Sequence, residues 1–314
     1  MKNYRYIYNV NYKEQENELC AFEAKALFGV QIKEKVLFSD KEIDPSISPF
    51  IKNRIKIIYE TESLEDILEL ITRNDLRTNG FLVKYVELES SDPHFKNGKK
   101  ISKEVGLRIY GYPSFDSPKI KYGISCYKER WYLGELVENN YIWRAHKKKP
   151  HSYSSALDAN IAKVLINLAG QGDTTKRLID PCCGVGTVIL EGLFSGYDIK
   201  GWEINSKIAK ASRLNVLHYN YETEITNGDI KDIKEYYDVA IVDLPYGNFS
   251  NFDLEKQLEI IRQAMRISKK LVLVSSKNIA DKLLDEKLDI IDYCKVYKTV
   301  KRDFVRYIWI CEKK

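Results

Sequence analysis

Two rhythms of apolar and polar residues divide this chain. In the first half, short runs with strand character alternate with a few helical segments. Residues 4–12 (YRYIYNVNY), 33–38, 54–60 (RIKIIYE) and 81–88 read as strands. Residues 14–28 place Leu19, Phe22, Ala26 and Leu27 at helical spacing before Gly29 ends the run. Residues 63–72 (SLEDILELIT) open with Ser63 and Asp66 as a capping box and continue as a helix. The order β-α-β-β-α-β over residues 1–95 predicts a ferredoxin-like α+β domain. A polar, turn-rich stretch at 90–104 marks a boundary. A short helix or strand at 105–110 and strands at 119–127 and 131–137 make residues 96–149 a further region. The stretch HKKKPHSY (146–153), basic and broken by Pro150, reads as the main linker.

From 150 to 314 the rhythm changes to alternating helix and strand. Strands are predicted at 177–180, 198–203, 224–229, 238–243 and 270–275, with helices at 156–168, 187–194, 206–218, 254–266 and 279–286. Two strand-like runs, 288–297 and 303–312, close the chain. This is the pattern of an α/β, doubly wound, mainly parallel sheet of Rossmann-like type with an antiparallel C-terminal strand.

A length of 314 residues suits such a two-part organisation. Hydrophobic residues make up 44% and charged residues 30%, the balance of a soluble globular protein. No apolar run is long enough to span a membrane, and the first residues have no signal-peptide core, so the expected location is the cytoplasm. The six cysteines form no CxxC pair, which argues against a zinc ribbon or disulfide framework and for reduced, mostly buried thiols; no metal is expected. The net charge of +5 permits a polyanionic partner without requiring one.

The candidate chemistry lies at the strand ends. In an open α/β sheet, ligands bind beyond the carboxyl ends of the strands. Here Asp180, Glu203, Asp229 and Asp243 end successive strands. One such acid is an ordinary helix cap. Four in one crevice would repel one another unless a cationic or hydroxyl-rich ligand relieved them. The first loop, DPCCGVGT (180–187), has glycines at 184 and 186 that let a ligand approach the backbone. Ile189 stands where a dinucleotide fingerprint needs a third glycine, and no P-loop lysine follows. Glu203 is placed to hold both hydroxyls of a ribose. Asp229 can accept from an adenine amino group while Ile230 packs on the ring. A ribose and an adenine without a pyrophosphate cradle point to S-adenosylmethionine, with a generic nucleotide-binding sheet as the alternative.

The segments DPCCGVGT, GWEIN (201–205), NGDI (227–230) and DLPYG (243–247) resemble the class I S-adenosylmethionine-dependent methyltransferases. More narrowly, they are similar to the THUMP-associated RNA guanine-N2 methyltransferases. The resemblance implies a Rossmann-like class I domain at 150–314 and a degenerate THUMP-like region with a linker at 96–149. It implies a cofactor site made by Asp180, Cys182, Gly184, Gly186, Thr187, Glu203, Asp229 and Ile230. It also implies methylation of guanine N2 in RNA, with tRNA as partner. The family's [DN]PP[YFW] motif appears as Asp243-Leu244-Pro245-Tyr246, with leucine at the first proline. In the reading this supports, Asp243 and the carbonyl of residue 244 accept the two amino hydrogens of the target base. Pro245 stiffens the turn and Tyr246 stacks on the base. The run Lys147-Lys148-Lys149, beside His146 and His151, is a candidate RNA contact, as are Lys96, Lys99 and Lys100. A DNA adenine-N6 methyltransferase shares the motif order but usually carries a large target-recognition domain. A non-catalytic RNA-binding relic is the third reading, against which the four intact acids argue. Neither Cys182 nor Cys183 follows the fourth strand, where a nucleophilic cysteine would be needed.

Overall fold

The two rhythms resolve into two separate sheets. The computed structural model describes residues 5–32, 34–153, 156–245, 254–297 and 305–314. In chain order the elements are β1 (Tyr6–Val10), α1 (Asn17–Phe28), β2 (Val36–Ser39), β3 (Ile51–Thr61), α2 (Leu64–Arg73), β4 (Phe81–Tyr85), α3 (Gly98–Arg108), β5 (Ile120–Tyr127) and β6 (Arg130–Glu138). Then follow α4 (Ala159–Gly170), β7 (Arg177–Asp180), α5 (Thr187–Phe194), β8 (Asp198–Glu203), α6 (Ser206–His218), β9 (Ile225–Asn227) and β10 (Tyr237–Asp243). The last are α7 (Leu254–Arg266), β11 (Ser268–Ser275), α8 (Ala280–Asp285), β12 (Leu288–Tyr297) and β13 (Val305–Lys313). One compact unit takes residues from 1–11, 32–46 and 50–140, and the other takes 12–31, 47–49 and 141–314.

The first unit is a six-stranded sheet in the order β2-β1-β3-β6-β5-β4. It is α+β, but it departs from the ferredoxin-like arrangement expected for residues 1–95. There a split βαβ crossover would make β1 and β2 parallel, with another strand between them. Here β1 runs antiparallel to both β2 and β3, and α1 belongs to the other unit. Nor does the sheet end near residue 95, because β5 and β6 complete it. The polar stretch expected to be a boundary instead leads into α3. Ile101 and Val105, one turn apart, bury a stripe of that helix among its lysines. They join Ile67 and Ile71 of α2, with Phe81, Ile124 and Leu133 of the sheet, in one core. The Ser63 half of the predicted capping box of α2 is present: the Asp66 N–H donates to Ser63 Oγ at 3.0 Å.

The second unit is a seven-stranded sheet in the order β12-β13-β11-β10-β7-β8-β9. Only β13 runs against the rest. This strand order, with its antiparallel seventh strand, is that of the class I methyltransferase fold predicted for 150–314. Leu258 and Ile261 of α7 and Leu283 of α8 share a core with Val242, Leu273 and Trp309 of the sheet. Among the described residues, no helix is long and apolar enough to cross a membrane.

The stretch read as the main linker is ordered into this unit from residue 142. Residues 142–148 form 3-10 turns that bury Trp143 and His146. Apolar and aromatic burial outweighs the basic character that suggested a linker. His146 Nδ1 lies 2.8 Å from Glu191 Oε1, and Lys163 Nζ donates to Glu191 Oε2 at 3.2 Å. Lys163 and Glu191 have no solvent exposure. Removing one member of such a pair would strand the other charge and is costly, by about 3–5 kcal/mol.

Helix α1 docks on this unit through a second buried acid. Glu23 accepts from Ser48 Oγ at 2.5 Å and from Asn167 Nδ2 of α4 at 2.6 Å. Burial pushes the Glu23 carboxyl up to about 7, against the lowering effect of those two hydrogen bonds and of Lys163. The protonated form is therefore favoured by folding. The stability it contributes is complete below about pH 4.3, where an unfolded glutamate titrates, and is lost as pH rises through about 7. Glu23→Gln keeps an acceptor for Asn167, and the Ser48 hydroxyl can turn to accept. The variant is expected to gain stability over wild type at pH 8, by up to about 3 kcal/mol, and to match it at pH 4.5. Urea midpoints at the two pH values check this.

Candidate active site

All strands of a parallel sheet end at one edge, so residues that close successive strands face a common crevice. The second unit has a cleft of about 630 Å³ at that edge. Asp180 closes β7, Glu203 closes β8, Asp229 follows β9 and Asp243 closes β10. All four line the cleft. So do Cys182, Gly184, Thr187, Ile230, Leu244 and Pro245.

Glu203 shapes one wall. Its Oε2 accepts from the Gly184 N–H at 3.0 Å and its Oε1 from the Asn205 N–H at 2.8 Å. The carboxylate thus joins the glycine loop to the turn that starts α6. Asn227 braces that turn by donating to the carbonyls of Glu203 and Ile204 at 2.8 and 3.0 Å. Asp180 is almost fully buried and accepts the Cys182 N–H at 3.2 Å. Burial raises its carboxyl well above the usual range, and Asp243 and Glu203 nearby raise it further. The same acids, after burial, raise the Cys182 thiol, which makes a thiolate unfavourable there. Asp229 accepts the Lys231 N–H at 2.9 Å and caps a short 3-10 turn.

Gly186 differs from the other loop residues. It does not line the cleft. It has φ of +81°, and a Cβ there would lie 2.4 Å from Ser212 Oγ on α6. Its positive φ and the space under Ser212 let it turn the loop into α5 beneath the next helix. Gly184 has φ of +53°, and a Cβ there would lie 2.6 Å from the Tyr153 hydroxyl.

The turn after β10 shows how leucine serves at position 244. Its N–H donates to the Val274 carbonyl at 3.0 Å, which a proline could not do. Its side chain is 1% exposed and sits in the core. A buried anchor and a backbone hydrogen bond thus hold the turn where a proline would hold it by its ring. The next carbonyl, of Pro245, accepts from Gln257 Nε2 of α7 at 3.0 Å. Tyr246 lies outside the described residues.

Of the three lysines expected to meet RNA, Lys147 and Lys148 are exposed. Lys149 is buried at 8% exposure, which lowers its ammonium, and it is not part of that surface. Lys96, Lys99 and Lys100 are exposed in the first unit.

Sequence reasoning missed several lining residues. Tyr153 borders the cleft, and burial, then Glu203, Asp243 and Asp180, push its phenol up to about 12, so it is a neutral donor among carboxylates. Lys256, Glu259 and Ile260 come from α7. No strand-end rule reveals them, since they reach the cleft from a helix face. The aromatic ring in HSYSS, between the basic run and α4, was the available signal for Tyr153.

The donor set fits S-adenosylmethionine. A group of carboxylates at low exposure suits a ligand with sulfonium and ammonium charges and ribose hydroxyls. The mixed lining, with Val185, Val188 and Ile204 as its apolar part, suits an adenine ring.

Residues 146–280 match the family model described as UPF0020, RMKL-like, methyltransferase domain. The tRNA (guanine(10)-N2)-dimethyltransferase of Methanothermobacter thermautotrophicus is 30% identical over 125 residues, covering 38% of this chain and 36% of that one. This match therefore spans little more than a third of that relative. The enzyme of the same name from Pyrococcus abyssi is 22% identical over 273 residues, 80% of each chain. Among solved structures, TrmN from Thermus thermophilus aligns over 98% of this chain and 99% of its own, with 14% identity and a TM-score of 0.48. Residues 146–280 of the second unit are thus similar to a methyltransferase domain.

Gly186→Ala is expected to destabilise this unit by about 1–3 kcal/mol, from the left-handed backbone and the clash with Ser212. A lowered urea midpoint with an unchanged slope is the measurement.

Proposed function

We propose that this methyltransferase domain uses S-adenosylmethionine to methylate the exocyclic N2 of a guanine in tRNA. One observation carries the reading. Asp243, at the end of β10, opens onto the same cleft as Asp180, Glu203 and Asp229. An acceptor for an amino group and a cofactor donor set thus share one space. The names of the curated relatives supply the substrate.

Bound in the cleft, the cofactor supplies an electrophilic methyl group. Glu203 holds the ribose hydroxyls, and Asp229 with Ile230 holds the adenine. The guanine amino nitrogen is a weak nucleophile because its lone pair is delocalised into the ring. Asp243 accepts one amino hydrogen, and the carbonyl of Leu244 accepts the second. Two fixed acceptors draw the nitrogen towards a tetrahedral shape and aim its lone pair at the methyl group. After transfer the nitrogen carries one proton too many, and that proton leaves to water. Tyr246 offers its ring to the base, which must be unpaired or flipped out to reach the turn. The first unit is read as a THUMP-like RNA-presenting region. It carries exposed rings at Tyr110, Tyr112 and Phe115, and Arg77 lies 4.3 Å over the Tyr110 ring.

The test is transfer of labelled methyl to separate pools of tRNA, rRNA and genomic DNA from a strain lacking the gene. N2-methylated guanosine in tRNA is the expected product. Label in DNA as N6-methyladenine would keep the fold and overturn the substrate. Asp243→Ala is expected to lower kcat at least a hundredfold, while the cofactor Kd, by calorimetry, stays within about threefold. Glu203→Ala is expected to do the reverse in emphasis. It raises the cofactor Kd at least tenfold, since it removes the ribose acceptor and releases the Gly184 and Asn205 N–H groups.

A further inference from the structure

The outer strands of the second sheet carry a row of rings that the mechanism above does not use. Helix α1 covers one face of β12, where Lys25 Nζ meets Asp292 Oδ2 at 2.5 Å and Glu18 accepts the Lys295 N–H. The opposite face presents Tyr293, 49% exposed. Tyr293 pairs across to Trp309, and Lys295 to Tyr307. The three rings are nearly parallel. Tyr293 and Trp309 are 5.1 Å apart at 22°, and Tyr307 and Trp309 are 5.7 Å apart at 13°. Lys295 Nζ lies 5.9 Å from the Tyr307 ring centre. Trp309 is pinned, because its Nε1 donates to Ser275 Oγ at 2.8 Å.

This row leads back to the catalytic turn. Ser275 pairs with Tyr307, and the residue before it, Val274, pairs with Asp243. Strands lie about 4.8 Å apart, so Tyr307 is about two spacings from Asp243 and Tyr293 about three. Beside the turn, and reaching Ser275, is a hollow of about 340 Å³ lined by Leu254, Gln257, Lys277, Ile279, Asp281 and Lys282 among others. It touches Leu244, which also lines the cofactor cleft.

We propose that this ring row and hollow bind the unpaired nucleotides that adjoin the target base. Tyr293, backed by the buried Trp309 ring, holds an exposed ring on a rigid sheet that accepts any base, since every base has a π face. Lys277 and Lys295 supply positive charge for the connecting phosphates. Lys277 and Lys282 line the hollow against one acid, Asp281, a balance that suits a sugar–phosphate chain. The inference rests on the RNA reading above, and the test separates the two.

The experiment compares wild type, Tyr293→Ala and Tyr293→Phe on unmodified tRNA, with ultraviolet cross-linking and peptide mapping of the wild-type complex. Tyr293→Ala is expected to raise the KM for tRNA about tenfold. Its kcat and its cofactor Kd stay unchanged, and Tyr293→Phe stays within about twofold of wild type. A cross-linked peptide containing Tyr293 is expected in the wild-type complex, independent of how either variant folds. An unchanged KM together with no such cross-link overturns the platform while the RNA reading stands. Loss of a dimer in Tyr293→Ala, seen by light scattering, with an unchanged KM would assign the face to a second copy instead. Wild type that methylates no RNA overturns both readings.

Discussion

Glu203 holds two backbone N–H groups that start from different strands. One belongs to the glycine loop after β7, and the other begins α6 after β8. The cleft owes its shape to this bridge. Without it the Gly184 amide would need another acceptor at low exposure, where an unmade hydrogen bond costs about 1–3 kcal/mol. A carboxylate committed to its own backbone is also preorganised. In the proposed reading it would meet a ribose in a fixed orientation without ordering a mobile side chain first.

The remaining acids line the same cleft as that bridge. Asp180 is almost fully buried, and its carboxyl is driven towards the neutral form by burial first and by Asp243 and Glu203 second. A ligand with positive charge reverses that balance. The site is thus poised for a cation in a way that a set of surface acids would not be. The turn after β10 follows another logic. Its position is set by sheet register, through Asp243 opposite Val274 and the Leu244 N–H on the Val274 carbonyl. Leucine at the first proline position changes how the turn is held while leaving both proposed acceptors in place.

Buried polar groups away from the cleft serve the scaffold. Glu191 joins the 3-10 turns at 142–148 to α4, and Glu23 joins α1 to α4. Both couple chain segments distant in sequence to the helices beside the central strands. Such pairs add little net stability over apolar packing, but they penalise any other arrangement of the same helices. The pH response of the Glu23 contact lies near neutrality, so this docking is more sensitive to ordinary buffer conditions than the ion pairs at the surface.

Much of the second unit was legible from residues alone. Alternation of helix and strand after residue 150 implied the doubly wound sheet, and each strand-end acid could be numbered because a parallel sheet brings such ends together. The same reasoning went astray wherever partners lay far apart in the chain. Residues 1–95 show the expected order of elements, yet α1 joins the second unit and β5 and β6 complete the first sheet, because pairing is decided by which edges and faces are left to cover. Lys149 looked like surface charge and is buried, and the close approach of Gly186 to Ser212 of α6 had no signal in the motif, because periodicity does not reveal which side of a turn a neighbouring helix occupies. Tyr153 and the α7 residues reach the cleft across loops and helices with no fixed spacing to the motifs. Local pattern determined the elements and the acids at their ends; tertiary packing alone decided which surfaces those elements share, since burial is a property of the assembled chain.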